Sequence, residues 1–282
     1  MASLQTARSF LFAPGSEERK LVRALESGAD AVVADLEDAV APAEKGAARE
    51  LTARMLAEAE GDGVRLVRVN GVGTEWHDAD VAAVAEEAGV DGVVVPKATA
   101  AAVNAVGNRL ELPIVAIVET AVGLREGFSI ASHERVAALM LGAVDLGLEL
   151  RLEQRHDGQE ILFARSSLVV DSAAAGLRGP VDRVWLDVRD LDGLARDCEL
   201  GRSLGLRGKA LVHPDQVAPT HDAFAPSASE LRRAREIVAA FDRAVGEGRG
   251  VVALDGEMID APVVARAREL LSEEKRSVLH AE

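Results

Sequence analysis

Eight short apolar runs, spaced at roughly thirty residues and separated by amphipathic stretches, constrain this chain more than any other feature. Strand and helix alternating at that period is the rhythm of a (β/α)8 barrel. The runs are RSFLFAP (Arg8 to Pro14), AVVADLED from Ala31, VRLVRVNG after Gly63, DGVVVPK, PIVAIVET, VAALMLGAVDL, VDRVWLDV and GLRGKALVHPDQV. A parallel strand hidden on both faces reads as continuous Val, Ile, Leu and Ala, with polar residues only where it emerges. A doubly wound open sheet gives a similar alternation, yet neither a GxGxxG nor a P-loop signature follows any run. The expected fold is therefore α/β, a (β/α)8 TIM barrel over residues 1–217 with a helical extension over 218–282.

Capping and turn residues set the boundaries between the runs. GSEERKLVRALESG reads as a helix with Ser16 as its N-cap and Gly28 at its end, and Pro42 opens the next helix. In the extension, SASELRRAREIVAAFDRAV is an amphipathic helix capped by Ser227 or Ser229, and GEGRG is a flexible hinge. VVALDGEMIDAP reads as an exposed loop and VVARARELLSEEK as a last helix. That acidic, Gly-flanked loop suits a lid over the barrel mouth or a reach into a neighbouring subunit.

Composition narrows the function. Hydrophobic residues make up 48% and charged residues 28%, which is enough for a large core and far from a disordered composition. Lys and Arg number 32 against 47 Asp and Glu, a formal charge of −15 that argues against a general nucleic-acid surface. A phosphate-bearing ligand must then meet a local basic cluster. No run reaches the length of a membrane span and no secretory leader pattern opens the chain, so a cytoplasmic location is expected. Cys198 is the single cysteine. It rules out an internal disulfide and a cysteine zinc site, and the helical pattern around it suggests a buried thiol.

In a barrel, residues at the C-terminal strand ends converge on one face, where barrel active sites lie. Asp35, Glu37, Asp38, Arg68, Asn70, Lys97, Glu119, Asp145 and His213 all fall at or just beyond such ends. Glu119 and Asp145 close neighbouring runs, and two carboxylates side by side repel unless a cation lies between them. Oxygen ligands of this type suit Mg²⁺. The alternative is that each carboxylate caps the helix after its strand.

The ordered set LFAPGSEER, GADAVVADLEDAVAP, VRVNG, VVVPK, AIVET, LGAVDLG, GKALVHPDQV and DGEMIDAP resembles the HpcH/HpaI aldolase and citrate lyase β-subunit superfamily, in its CoA-ester lyase branch. The resemblance runs from Arg8 to about Leu271. It implies a TIM barrel, commonly trimeric, that cleaves or forms the carbon–carbon bond of 3-hydroxyacyl-CoA thioesters such as malyl-, citramalyl- or citryl-CoA with Mg²⁺. It further implies that Glu119 and Asp145 hold the metal and that Arg68, with Glu119, binds the substrate. Glu37 and Asp38 would lie beside the metal and orient its waters, supported by Asp35. Asp260 in MIDAP would be the acid that one subunit sends into the barrel of the next.

Recognition of coenzyme A is less marked. Arg19, Lys20 and Arg23 in the first strand–helix turn combine a helix N-terminus with local cations and are the best candidates for its phosphates. Part of the family carries a basic residue near position 17, where this chain has Glu17 and Glu18, and Arg183 stands where relatives often have glycine. A thioesterase for malyl-CoA-like esters, a CoA-independent aldolase, and a citrate-lyase-type subunit working with an acyl carrier are the competing expectations.

Overall fold

The computed structural model describes residues 4, 6–86 and 89–279, the last five by backbone alone. Eight parallel strands close into a barrel in sequence order. They are β1 (Ser9–Pro14), β2 (Ala31–Asp35), β3 (Val64–Arg68), β4 (Gly92–Val95), β5 (Ile114–Val118), β6 (Val136–Leu141), β7 (Val181–Asp182) and β8 (Gly208–Leu211). Pairing of β8 with β1 completes the ring. The helices of this unit are α1 (Glu18–Leu25), α2 (Lys45–Glu58), α3 (His77–Glu86), α4 (Ala100–Gly107) and α5 (Ala121–Arg125). They continue with α6 (Gly127–Ala131), α7 (Ala143–Leu150), α8 (Leu162–Ala174), α9 (Leu191–Leu204) and α10 (Val217–Phe224). The helix expected around α3 extends into Glu87 and Ala88, which lie outside the described residues.

The continuous apolar runs follow from burial on two faces. One set of strand residues, including Phe10, Val33, Leu66, Val94 and Val115, packs with itself and fills the barrel. The alternate set, including Val32, Val67, Val93, Ile114 and Leu139, packs beneath Leu21, Ala48, Val81 and Leu168 of the helices. Most positions of the barrel strands are covered on both faces, so their runs stay largely apolar.

β7 is shorter than VDRVWLDV suggests, because its second residue, Asp182, is fully buried in an ionic cluster. Arg165 of α8 grips Asp182 at two points, 2.9 and 2.7 Å, and reaches Asp197 of α9 at 2.7 Å. Lys209 of β8 bonds Asp182 at 3.0 Å and also contacts Asp197. Burial disfavours the charge of Asp197, but Lys209 and Arg165 outweigh it and hold its carboxyl well below the usual range. Beyond β7, Trp185 joins Leu194, Cys198 and Phe224 in a small separate core, which places the free thiol of Cys198 in the interior.

Two boundary expectations are corrected. Ser16 does not cap α1: Glu17 occupies the N-cap position without a side-chain bond, and the helix ends at Leu25, leaving Gly28 in the following turn at φ 75°. VVALDGEMIDAP is a hairpin rather than a loop, with β9 (Val252–Leu254) antiparallel to β10 (Glu257–Ile259). Asp255 and Gly256 at its turn both have positive φ, 53° and 85°, the backbone that a two-residue Asp-Gly hairpin turn requires.

The chain divides into two compact units, Met1–Phe224 and Ala225–Glu282. α10 belongs to the first because it packs on α9, β1 and β8. The second holds the hairpin, α11 (Ala228–Gly246) and α12 (Ala261–Leu279), with α11 and α12 packed together. Ser227 rather than Ser229 caps α11, in a reciprocal box with Glu230. Among the described residues no helix is long and apolar enough to cross a membrane.

Candidate active site

Register places Asp35 level with Arg68 on neighbouring strands at the C-terminal edge of the barrel. The Asp35 carboxylate accepts the backbone N–H groups of Glu37 at 2.8 Å and Ala39 at 3.1 Å, a local turn that swings Glu37 back over the barrel mouth. It also takes Arg68 in a bidentate pair. Arg68 Nη1 is left facing Glu37 Oε2 at 3.1 Å and Asp38 Oδ2 at 3.5 Å, while the guanidinium lies 5.3 Å from the centre of the Phe12 ring. Burial disfavours the guanidinium charge, yet Asp35, then Glu37 and Asp38, raise the Arg68 pKa above its ordinary value.

Glu119 leaves β5 and is 5% exposed. The Lys97 backbone N–H donates to its Oε1 at 2.7 Å. Burial pushes the Glu119 carboxyl up to about 7, and the nearby charges of Glu37 and Asp145 push the same way against that N–H. Asp145 stands in the first turn of α7 with its side chain 35% exposed. Lys97 Nζ lies between the carboxylates, 3.0 Å from Glu37 Oε1 and 3.4 Å from Asp145 Oδ2. Burial also raises the Glu37 carboxyl, with Arg68 opposing. Its Oε2 is buried and accepts no hydrogen bond, the Arg68 contact being an ion pair outside hydrogen-bond geometry.

Glu37 and Lys97 line a pocket with Lys45 and Asn70, while Asp35, Asp38, Arg68, Glu119 and Asp145 border a neighbouring cavity of about 670 Å³ that opens at the C-terminal face. Arg68, Glu119 and Asp145 are on its wall, with Lys20, Arg23 and His213 around it and an apolar floor that includes Ile117 and Met140. Arg19 is exposed and is not part of that wall. Lys20 Nζ pairs with Glu17 at 2.7 Å. His213 caps the short turn after β8, its Nδ1 accepting from Asp215 N at 3.2 Å. Asp260 belongs to the second unit, where its Oδ1 accepts from Val263 N at 3.3 Å in the first turn of α12.

Two contributors carry no sequence mark. Lys45 of α2 is buried, and its ammonium donates to Leu36 O, Glu37 O and Asn70 Oδ1 at 2.7, 2.6 and 2.7 Å. It fixes the loop that presents Glu37, and it explains Asn70 as a support, since Asn70 also donates to Leu36 O. Gly142 lies against Glu119: a Cβ there would collide with Glu119 Cβ and lie 2.5 Å from Oε2. The motif LGAVDL hinted at Gly142 only through its position before Asp145.

Among the described residues no three His, Cys, Asp or Glu side chains form a ready-made metal cage. A hard divalent cation nevertheless fits the donor set. Mg²⁺ commonly takes one or two protein carboxylates and completes its octahedron with water and substrate oxygens. Glu119 and Asp145 offer such a pair on an open cavity, with the Glu119 carboxylate destabilised by burial and by like charges that a cation would offset.

The comparisons with known proteins agree with this architecture. The family model described as HpcH/HpaI aldolase/citrate lyase matches residues 8–214. A protein from Cereibacter sphaeroides named (3S)-malyl-CoA thioesterase is 39% identical, over 94% of this chain and 93% of its own length. The citrate lyase subunit beta of Escherichia coli is 35% identical, over 100% of this chain and 99% of its own. Among solved structures, protein CitE from Mycobacterium tuberculosis in complex with magnesium, acetoacetate and coenzyme A superposes with a TM-score of 0.83 at 30% identity. It covers 96% of this chain and 99% of that one. A closed eight-stranded barrel, a family match across nearly all of it and relatives similar from end to end lead to one assignment: the chain belongs to the HpcH/HpaI aldolase/citrate lyase family.

Proposed function

We propose that the protein is a Mg²⁺-dependent carbon–carbon lyase that cleaves, or in reverse forms, a 3-hydroxyacyl-CoA thioester such as malyl-, citramalyl- or citryl-CoA. The observation that carries this reading is the convergence of Glu119, Asp145 and Arg68 on one cavity wall. In the cleavage direction the 3-hydroxyl loses its proton as the bond to the thioester α-carbon breaks, giving a keto acid or glyoxylate and an acyl-CoA enolate. Glu119 and Asp145 would hold Mg²⁺, which when bound would supply Lewis-acid polarisation for the substrate's oxygens. Arg68, its Nε and Nη2 committed to Asp35, presents a fixed positive charge to the same substrate oxygens. Glu37 and Asp38 orient the water at the mouth that takes up the hydroxyl proton, and Asp260 of a neighbouring subunit returns a proton to the enolate carbon.

Lys20 and Arg23 on the cavity rim meet the phosphates of coenzyme A, and Arg19 adds charge outside it. Exposed Val122, Phe128, Leu148, Phe163 and Val170, on the adjoining helices α5 to α8, favour a homo-oligomer, a trimer by family habit. A CoA thioester substrate favours a cytoplasmic location.

The thioesterase names of relatives at 39–40% identity favour a second reading, hydrolysis of a malyl-CoA-like ester by water at the same site. Turnover of malyl-, methylmalyl-, citramalyl- and citryl-CoA by the pure protein, with and without Mg²⁺, separates the two. Keto acid together with acyl-CoA supports the lyase. Free CoA with an intact hydroxy acid makes it a thioesterase, and silence across the panel overturns both.

A further inference from the structure

Lys97 is the described site residue whose conformation its local surroundings least explain. Its φ is 46°, in the left-handed region that side-chain-bearing residues rarely adopt. The other described non-glycine residues with positive φ have local reasons, Arg151 ending α7 and Asp255 forming the hairpin turn. At Lys97 this backbone serves the site. It aims the N–H at Glu119 Oε1 at 2.7 Å while the side chain carries its ammonium to Glu37 and Asp145.

The ammonium therefore lies on an oxygen that the proposed metal also needs. Asp145, whose Oδ2 is 3.4 Å from Nζ, is a metal ligand in the reading above, and Glu119 is held by the same residue's backbone N–H. A monovalent ammonium and a hard divalent cation cannot both occupy the space against these carboxylates without strong repulsion. The two differ in mobility. Arg68 is anchored by Asp35 and is 12% exposed, whereas the Lys97 side chain is 48% exposed and has open solvent to swing into.

We propose that Lys97 is an exchangeable counter-cation of the metal site: its ammonium neutralises Glu37 and Asp145, competes with the divalent cation for Asp145, and moves outward as the metal binds. This rests on the metal reading under the proposed function. Competition of this kind sets the affinity of the site low, so that a metal arriving with an anionic substrate is retained better than metal alone. The backbone N–H stays in place throughout and keeps Glu119 oriented in either condition.

Calorimetric titration of Mg²⁺ into the full-length protein, stripped of divalent ions, tests this without any turnover. Lys97→Met should tighten Mg²⁺ binding by roughly tenfold or more, as expected on removing a unit charge 3.4 Å from an oxygen of a ligand carboxylate. Lys97→Arg, which keeps the charge, should bind no tighter than the parent protein. Lys97→Gly provides a second neutral variant whose backbone accepts the positive φ, in case the methionine variant folds poorly. Equal or weaker Mg²⁺ affinity in a folded neutral variant overturns the exchange while leaving the metal site standing. Absence of Mg²⁺ binding in parent and variants alike overturns the metal reading, and this inference with it.

Discussion

Asp35 holds Arg68 at two points, Oδ1 to Nε at 2.7 Å and Oδ2 to Nη2 at 2.6 Å, from the neighbouring strand at the same level of the barrel. Both side chains are nearly withdrawn from water, 3% and 12% exposed, so the pair is expensive to break from one side. Asp35→Ala should destabilise the fold by about 3 kcal/mol in urea unfolding, the low end of the usual cost of breaking a buried ion pair from one side, since Glu37 and Asp38 remain beside Arg68. Arg68→Lys keeps the charge but loses the fork, and kcat/KM should fall roughly 100-fold while the melting temperature changes far less.

Glu119 supplies the pH dependence. In the folded chain, burial keeps its proton on up to about pH 7, against an ordinary value of 4.5 when unfolded. As pH rises from about 4.5 to 7 the unfolded chain releases this proton first, so the contribution to stability is full below that window and lost above it. For protein stripped of divalent ions the loss should be on the order of 3 kcal/mol, read from urea unfolding at a series of pH values. Glu119→Gln should flatten that slope. Mg²⁺ requires the carboxylate form, so its affinity should weaken about tenfold per pH unit below 7.

Gly142 is needed for its missing side chain. Its φ of −93° suits any residue, but an added Cβ would meet Glu119 Cβ and lie 2.9 Å from Ile117 Cγ2. Gly142→Ala should displace Glu119, weaken Mg²⁺ binding at least tenfold in calorimetry and destabilise the barrel by about 1–3 kcal/mol.

Lys45 acts through the loop it supports. Lys45→Met fills the space but strands the carbonyls of Leu36 and Glu37 and the Asn70 amide oxygen. Stability should fall by about 2–4 kcal/mol in urea unfolding. The KM of the metal-loaded protein should rise as Glu37 loses its fixed position.

The barrel was legible because PIVAIVET and its counterparts are buried on both faces, and burial of that kind leaves an unbroken apolar run with a polar exit. The same exits made Arg68, Glu119 and Asp145 visible as neighbours on one cavity wall. Lys45 and Gly142 were not legible. A lysine on an amphipathic helix normally faces water, and only the tertiary placement of Leu36, Glu37 and Asn70 draws this one inside. Gly142 owes its need for a bare Cα to a residue on another strand. The length of β7 was overestimated because Asp182 finds its partners on α8 and β8, beyond the reach of local pattern. Ser16 was a plausible cap whose helix begins at Glu18, and the Asp255–Gly256 pair signalled a hairpin that its acidic, exposed surroundings disguised as loop.

In the proposed site Glu119 and Asp145 together hold one divalent cation at the barrel mouth. The most direct measurement is calorimetric binding of Mg²⁺ at pH 8 to the parent protein, to Glu119→Gln and to Asp145→Asn, each shown to be folded by circular dichroism. One Mg²⁺ per chain is expected in the parent, with a loss of affinity of at least about 100-fold in each variant. Parent-like Mg²⁺ affinity in either folded variant would contradict it.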